Sequence, residues 1–137
     1  MGVLIKINLI FDLDGTIYNE SGLRDKRFLA IINKISKEKQ IDYSESEKIY
    51  YQTKKILKLY GKPSNTTSIY KEIGLNPSHL FEVLDSVSPD EHVIYNKKLA
   101  DLFNILSKNN KIYVFTNSPL KVSQKILKLL GINQYIS

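Results

Sequence analysis

The sequence predicts an α/β fold, a partial parallel sheet whose first strand is followed by an all-helical insertion before the sheet resumes. Three observations predict it. An apolar run ending at Phe11 stops abruptly in Asp12-Leu13-Asp14-Gly15-Thr16. From Ser21 to about Asp85 every apolar pattern has helical spacing and none alternates as a strand would. A second run of strand length, Ile112-Tyr113-Val114-Phe115, then ends in Thr116-Asn117-Ser118-Pro119. Residues 1–18 and 90–137 are accordingly assigned to the α/β core, and 19–89 to the helical insertion.

Residues 3–11 read as the first strand, and the continuous Leu9-Ile10-Phe11 suits a parallel strand covered on both faces. Gly15 lets the chain turn sharply after it. Phe28, Leu29, Ile31, Ile32 and Ile35 then recur on one side of a first helix. Ser44 and Glu47 have the spacing of a capping box for a second, which carries Ile49, Tyr50, Ile56, Leu57 and Tyr60 and is closed by Gly61 and Pro63. A short third helix spans about Thr66 to Glu72, and Asn76-Pro77 places an N-cap and an N1 proline before a fourth. Tyr43, Tyr50, Tyr51, Tyr60 and Tyr70 are core or cleft residues of this block, with packing the better reading for most; the isolated His79 and His92 carry no specific role. Ser86 to Tyr95 is the return linker, and Leu99, Leu102, Phe103 and Leu106 form the stripe of the next helix. After the second strand, Ser118 as N-cap and Pro119 at N1 open a last helix with Val122, Ile126 and Leu129-Leu130 inward, ended by Gly131. Tyr135-Ile136 would begin a third strand.

The totals narrow the function. A chain of 137 residues with 42% apolar and 25% charged residues is one ordinary domain, or a core with a small insertion. It has no cysteine, which excludes disulfides and thiolate metal sites and suits a cytoplasmic protein. No apolar run approaches the roughly eighteen residues of a membrane span, and the amino end reads neither as a signal peptide nor, with Lys6 where a Ser or Thr is needed, as a myristoylation site. The net charge is +6, carried by eighteen Lys and two Arg. Lysines scattered over predicted helices are a solvated surface rather than a nucleic-acid footprint, although a positive field helps to draw in an anionic phosphate ester.

The chemistry is carried by two constellations. Asp12 and Asp14 are two apart at a strand end, so their side chains leave on the same side. Two carboxylates so placed repel, and a divalent cation with all-oxygen ligation, Mg²⁺, relieves them. Thr116 and Asn117 stand at another strand's carboxyl end before a helix amino terminus, where an anion fits.

Asp12-Leu13-Asp14-Gly15-Thr16 after Asn8-Leu9-Ile10-Phe11 resembles the DxDGT motif of the haloacid dehalogenase-like (HAD) superfamily. Thr116-Asn117, about one hundred residues on, looks like that superfamily's second motif. The resemblance implies a Rossmann-like core with a helical type-one cap that closes over the substrate. It implies that Asp12 is nucleophile and Mg²⁺ ligand, and that Asp14 is acid and then base, its backbone carbonyl also a ligand. Thr116 and the Asn117 amide would hold the phosphoryl oxygens, with Gly15 and Thr16 in binding and shaping roles. An acid at position 14 favours a phosphatase over the dehalogenase branch. Tyr18 after the motif and the cap's length are similar to the pyrimidine 5′-nucleotidase-like branch, which shares nearly everything with the phosphoglycolate-phosphatase-like one.

The superfamily's third-motif Lys and fourth-motif acids have no counterpart, and neither Lys121 nor Lys125 is promoted to that place. The expectation is therefore a match to the amino-terminal part of a complete member, with a continuation or a partner completing the sheet, and weak or no activity alone. A non-catalytic phosphate- or Mg²⁺-binding module is the competing reading.

Overall fold

The computed structural model describes residues 6–137, so the part of the predicted first strand over residues 3–5 lies outside the described residues. Contacts divide the chain into two compact units: residues up to Arg24 together with Ser88–Ser137, and Asp25–Val87.

The first unit is built on two parallel strands, β1 (Asn8–Phe11) and β2 (Lys111–Val114). Their register pairs Asn8 with Lys111 and Phe11 with Val114, and the Phe115 N–H donates to the Phe11 carbonyl at 2.9 Å. Both strands therefore end level, and the segments leaving them emerge side by side. Ile112 is fully buried, and the Phe11 ring packs on Phe103 of α5 (Lys97–Ser107) with centroids 5.3 Å apart. Val122, Ile126, Leu127 and Leu130 of α6 (Leu120–Leu130), with Leu13 and Ile132, complete this core.

One face of the sheet departs from expectation. Ile10 is 69% and Phe115 75% exposed, with Tyr113 also open, so the strands are covered on one side only. The stripe on α5 is rotated as well: Ala100 and Phe103 are buried, whereas Leu102 is half exposed. Tyr135 lies in a 3₁₀ turn (Asn133–Tyr135) rather than a strand. Two residues later the Ser137 N–H donates to the Ile112 carbonyl at 2.7 Å.

Gly131 ends α6 with φ +77°, and a Cβ there would lie 2.4 Å from Tyr95 Cε2. Tyr95 is exposed and its ring can swing out, so the left-handed backbone dominates the cost of a side chain. Gly131→Ala is expected to destabilise the protein by about 1–2 kcal/mol, read as a lowered denaturant midpoint at unchanged slope.

The second unit is helical: the greater part of α1 (Ser21–Lys39), then α2 (Tyr43–Leu59), α3 (Thr66–Glu72) and α4 (Pro77–Ser86). Its core joins Ile31, Ile32, Ile35, Leu57, Ile69 and Tyr70. Tyr50 packs edge-on to Phe28 and shares a 3.1 Å hydrogen bond with Thr66, while Tyr43, Tyr51 and Tyr60 are exposed. The cap of α2 is Asp42, not Ser44: its carboxylate accepts from the Glu45 N–H at 2.8 Å, and its carbonyl accepts from Ser46 Oγ. Asn65 and Asn76 cap α3 and α4 in the same way, with Pro77 at N1 of the latter.

Glu38 accepts from Lys34 at 3.1 Å and meets the His79 ring at 2.8 Å. Burial pushes its carboxyl up, but the hydrogen bonds from Lys34 and His79 and their charge outweigh that and hold it below the ordinary glutamate value. A lowered folded value means stability that is present above about pH 4.5 and lost as acid protonates the native carboxylate. The melting temperature is therefore expected to fall more steeply below about pH 4.5 in the wild type than in Lys34→Ala.

Candidate active site

The site forms where the two level strands end. After β1 the chain turns at Leu13, whose carbonyl accepts from Thr16 and Ile17 N–H at 3.3 and 3.0 Å. Gly15 takes φ +73° inside this turn, and a Cβ there would approach Glu20 Oε1 to 3.3 Å. The turn returns Tyr18 alongside Asp14, where the two form an isolated bridge.

The two acids have different surroundings. Asp12 is exposed: its Oδ1 accepts from the Leu13 N–H at 2.8 Å, and Thr16 Oγ1 reaches its Oδ2 only at 3.5 Å, the outer limit of a hydrogen bond. Asp14 is half-buried among hydroxyls. Tyr18 Oη donates to its Oδ1 at 2.5 Å, and Ser118 Oγ to its Oδ2 at 2.5 Å, with Thr116 Oγ1 more distant at 3.4 Å. Thr116 also accepts from the Ser118 N–H at 3.1 Å, which tightens the loop leaving β2. Asn117 is exposed at the tip of that loop.

The structure thus brings Asp14, Thr116 and Ser118 into one hydrogen-bonded group, with Asp12, Gly15 and Thr16 in the adjoining turn. Ser118 corrects the sequence-based assignment. The N-cap of α6 is Pro119, no side chain caps the helix, and the Ser118 hydroxyl serves Asp14 instead. In the sequence Tyr18 stands out only by its family-like place after the motif. A hydroxyl four residues beyond an acid in a tight turn is the signal that could have placed it. Lys125 lies elsewhere, bonded to Asp90 at 2.5 Å and Ser88 at 3.1 Å.

Beside the turn lies an open cavity of about 670 Å³, lined by Gly15, Thr16, Tyr18, Glu20, Arg24 and Asn96. It is wide enough for a small metabolite and mostly polar at its edge. The Asp12 carboxylate and the Thr16 hydroxyl beside it offer oxygen atoms, and Mg²⁺ takes one or two carboxylates while keeping several waters, so the chemistry of these two side chains fits that ion. A cage of three or more His, Cys, Asp or Glu side chains is not present among the described residues.

The sequence model of the haloacid dehalogenase-like hydrolases matches residues 8–137. The chain belongs to that family. As a HAD-like hydrolase it is an α/β protein with helical elements, and the matched span takes in both strands, both acids and the Thr116–Ser118 loop. No match was found among curated proteins. No helix among the described residues is long and apolar enough to cross a membrane.

Proposed function

We propose that this HAD-like hydrolase is a Mg²⁺-dependent phosphomonoester hydrolase that works through an aspartyl-phosphate on a small phosphorylated metabolite in the cytoplasm. The observation that carries the reading is the asymmetry of the two acids. Asp12 presents an exposed carboxylate, and Asp14, two residues on, is held by hydroxyls from two separate loops. Exposed carboxylate and oriented carboxyl are what a nucleophile and a proton carrier respectively need.

In the first half-reaction an Asp12 oxygen attacks phosphorus and the bond to the leaving oxygen breaks, while Asp14 gives that oxygen a proton. In the second, Asp14 takes a proton from water, the water oxygen attacks the same phosphorus, and the Asp12 carboxylate is released. Thr116 Oγ1 and the Asn117 N–H would hold the phosphoryl oxygens; the long 3.4 Å contact of Thr116 to Asp14 is weak enough to be exchanged for a substrate. Gly15 and Thr16 shape the turn that presents Asp12. Asp12 and the Asp14 carbonyl would hold Mg²⁺, which when bound neutralises charge on the phosphoryl group.

The resemblance around Tyr18 makes a pyrimidine nucleotide the first substrate to try, with phosphoglycolate as comparison. The Ser137 N–H on the Ile112 carbonyl supports a further strand at the edge of β2, and the open face of Ile10, Tyr113 and Phe115 supports a further layer over the sheet, supplied by more of the chain or by a partner. A second reading, a phosphate- or Mg²⁺-binding module without turnover, is favoured by one observation, the lack of a third acid beside Asp12 among the described residues.

Phosphate release from p-nitrophenyl phosphate, with Mg²⁺ and with a chelator, separates the two. Mg²⁺-dependent release is expected, and from this chain alone it should be weak. Calorimetric binding of Mg²⁺ and phosphate with no release would favour the module.

A further inference from the structure

We infer that Tyr18 and Ser118 are positioning residues that fix the orientation of the Asp14 carboxylate from two loops at once. The inference rests on the reading of Asp14 as proton carrier. Each carboxylate oxygen has its own short donor: Tyr18 Oη on Oδ1 and Ser118 Oγ on Oδ2, both at 2.5 Å. Hydroxyl bonds to an ionised carboxylate are of the strong, charge-assisted kind.

Neither donor is on a free arm. Tyr18 is half-buried and is set by the turn closed on the Leu13 carbonyl, in a bridge with Asp14 itself. Ser118 is anchored through its N–H to Thr116 Oγ1, and its carbonyl accepts from Ser123 Oγ at 3.4 Å. Ser123 is itself buried on the first turns of α6, where its hydroxyl also reaches the Pro119 carbonyl at 3.0 Å. The Ser123 hydroxyl has one proton, which the nearer Pro119 carbonyl takes, so the firm anchor of Ser118 is its bond to Thr116 in the β2 loop, and from there Ser118 reaches one oxygen of Asp14. The β1 turn holds the other oxygen.

The consequence is kinetic. An aspartate at a loop can rotate about two side-chain bonds, and a proton carrier that points the right way only part of the time loses rate in proportion. Two opposed donors remove that freedom without occupying Asp12. Because the effect acts on proton delivery, it depends on how much the leaving group needs a proton. An alkyl phosphate needs one at departure, whereas p-nitrophenolate leaves without help.

The test compares kcat and KM of wild type, Tyr18→Phe, Ser118→Ala and Ser118→Thr on an alkyl phosphate and on p-nitrophenyl phosphate. Tyr18→Phe and Ser118→Ala are expected to lower kcat on the alkyl ester by about tenfold to a hundredfold with KM nearly unchanged, and to lower it far less on the aryl ester. Ser118→Thr, which keeps the hydroxyl, is expected to restore most of the rate. Equal losses on both esters, or a change confined to KM, would overturn the inference. Asp14→Asn on the same pair of esters separates the layers: if it too shows no leaving-group dependence, the proton-carrier reading itself fails. A second measurement needs no turnover. In a thermal-denaturation cycle of Tyr18→Phe and Asp14→Ala, the double variant should lose less than the sum of the single losses. Strict additivity would show that the two groups do not act on one another and would end the proposal.

Discussion

Asp12→Asn is expected to reduce phosphate release by at least about 10³-fold, with the fold and melting temperature little changed. The amide cannot attack phosphorus as a carboxylate does, and among the described residues lining the cavity beside the turn, which include neither Asp12 nor Asp14, the one carboxylate is Glu20. Glu20 lies on the cavity's edge, but its carboxylate meets Arg24 at 3.8 Å and belongs to the start of α1. Stability should be nearly indifferent because Asp12 is exposed and its one short bond is to the next residue's N–H, which an amide oxygen also accepts. A variant that unfolds would implicate the Leu13 turn instead, so circular dichroism accompanies the assay.

Asp14→Asn is expected to cost about 10²–10⁴-fold in kcat on an alkyl phosphate, the range of a lost general acid. Here the protein should respond structurally as well. Asn offers one acceptor oxygen and an NH₂, so only one of the Tyr18 and Ser118 hydroxyls keeps its present partner, and the other meets a donor. The predicted signature is a large loss of kcat together with a modest loss of melting temperature. Asp12→Asn shows the first without the second.

Much of this was legible in the sequence, and the reasons differ by element. The β1 end was readable because an apolar run stopped by acids and a glycine is a local pattern, and Gly15 does take the left-handed turn. The cap at Asn76 was readable for the same reason, since a cap acts within three residues. Asp42 was missed in favour of Ser44 because both residues have cap chemistry, and which one starts the helix depends on how the preceding turn leaves α1. Non-local facts left no trace. The Ser118 hydroxyl is bound to an acid 104 positions earlier, and Ser-Pro ahead of a helix reads locally as a cap. Continuous apolar runs likewise predicted strands covered on both faces, yet Ile10 and Phe115 are open. Coverage belongs to what packs against a strand, and the strand's own residues cannot report it.

The most direct test of the central claim is rapid-quench mass spectrometry of the wild-type chain mixed with Mg²⁺ and an aryl phosphate. The account predicts one phosphoryl group on the peptide containing Asp12, appearing within the first turnover and absent from Asp12→Asn. Turnover with no such adduct, or an adduct that persists in Asp12→Asn, would contradict it.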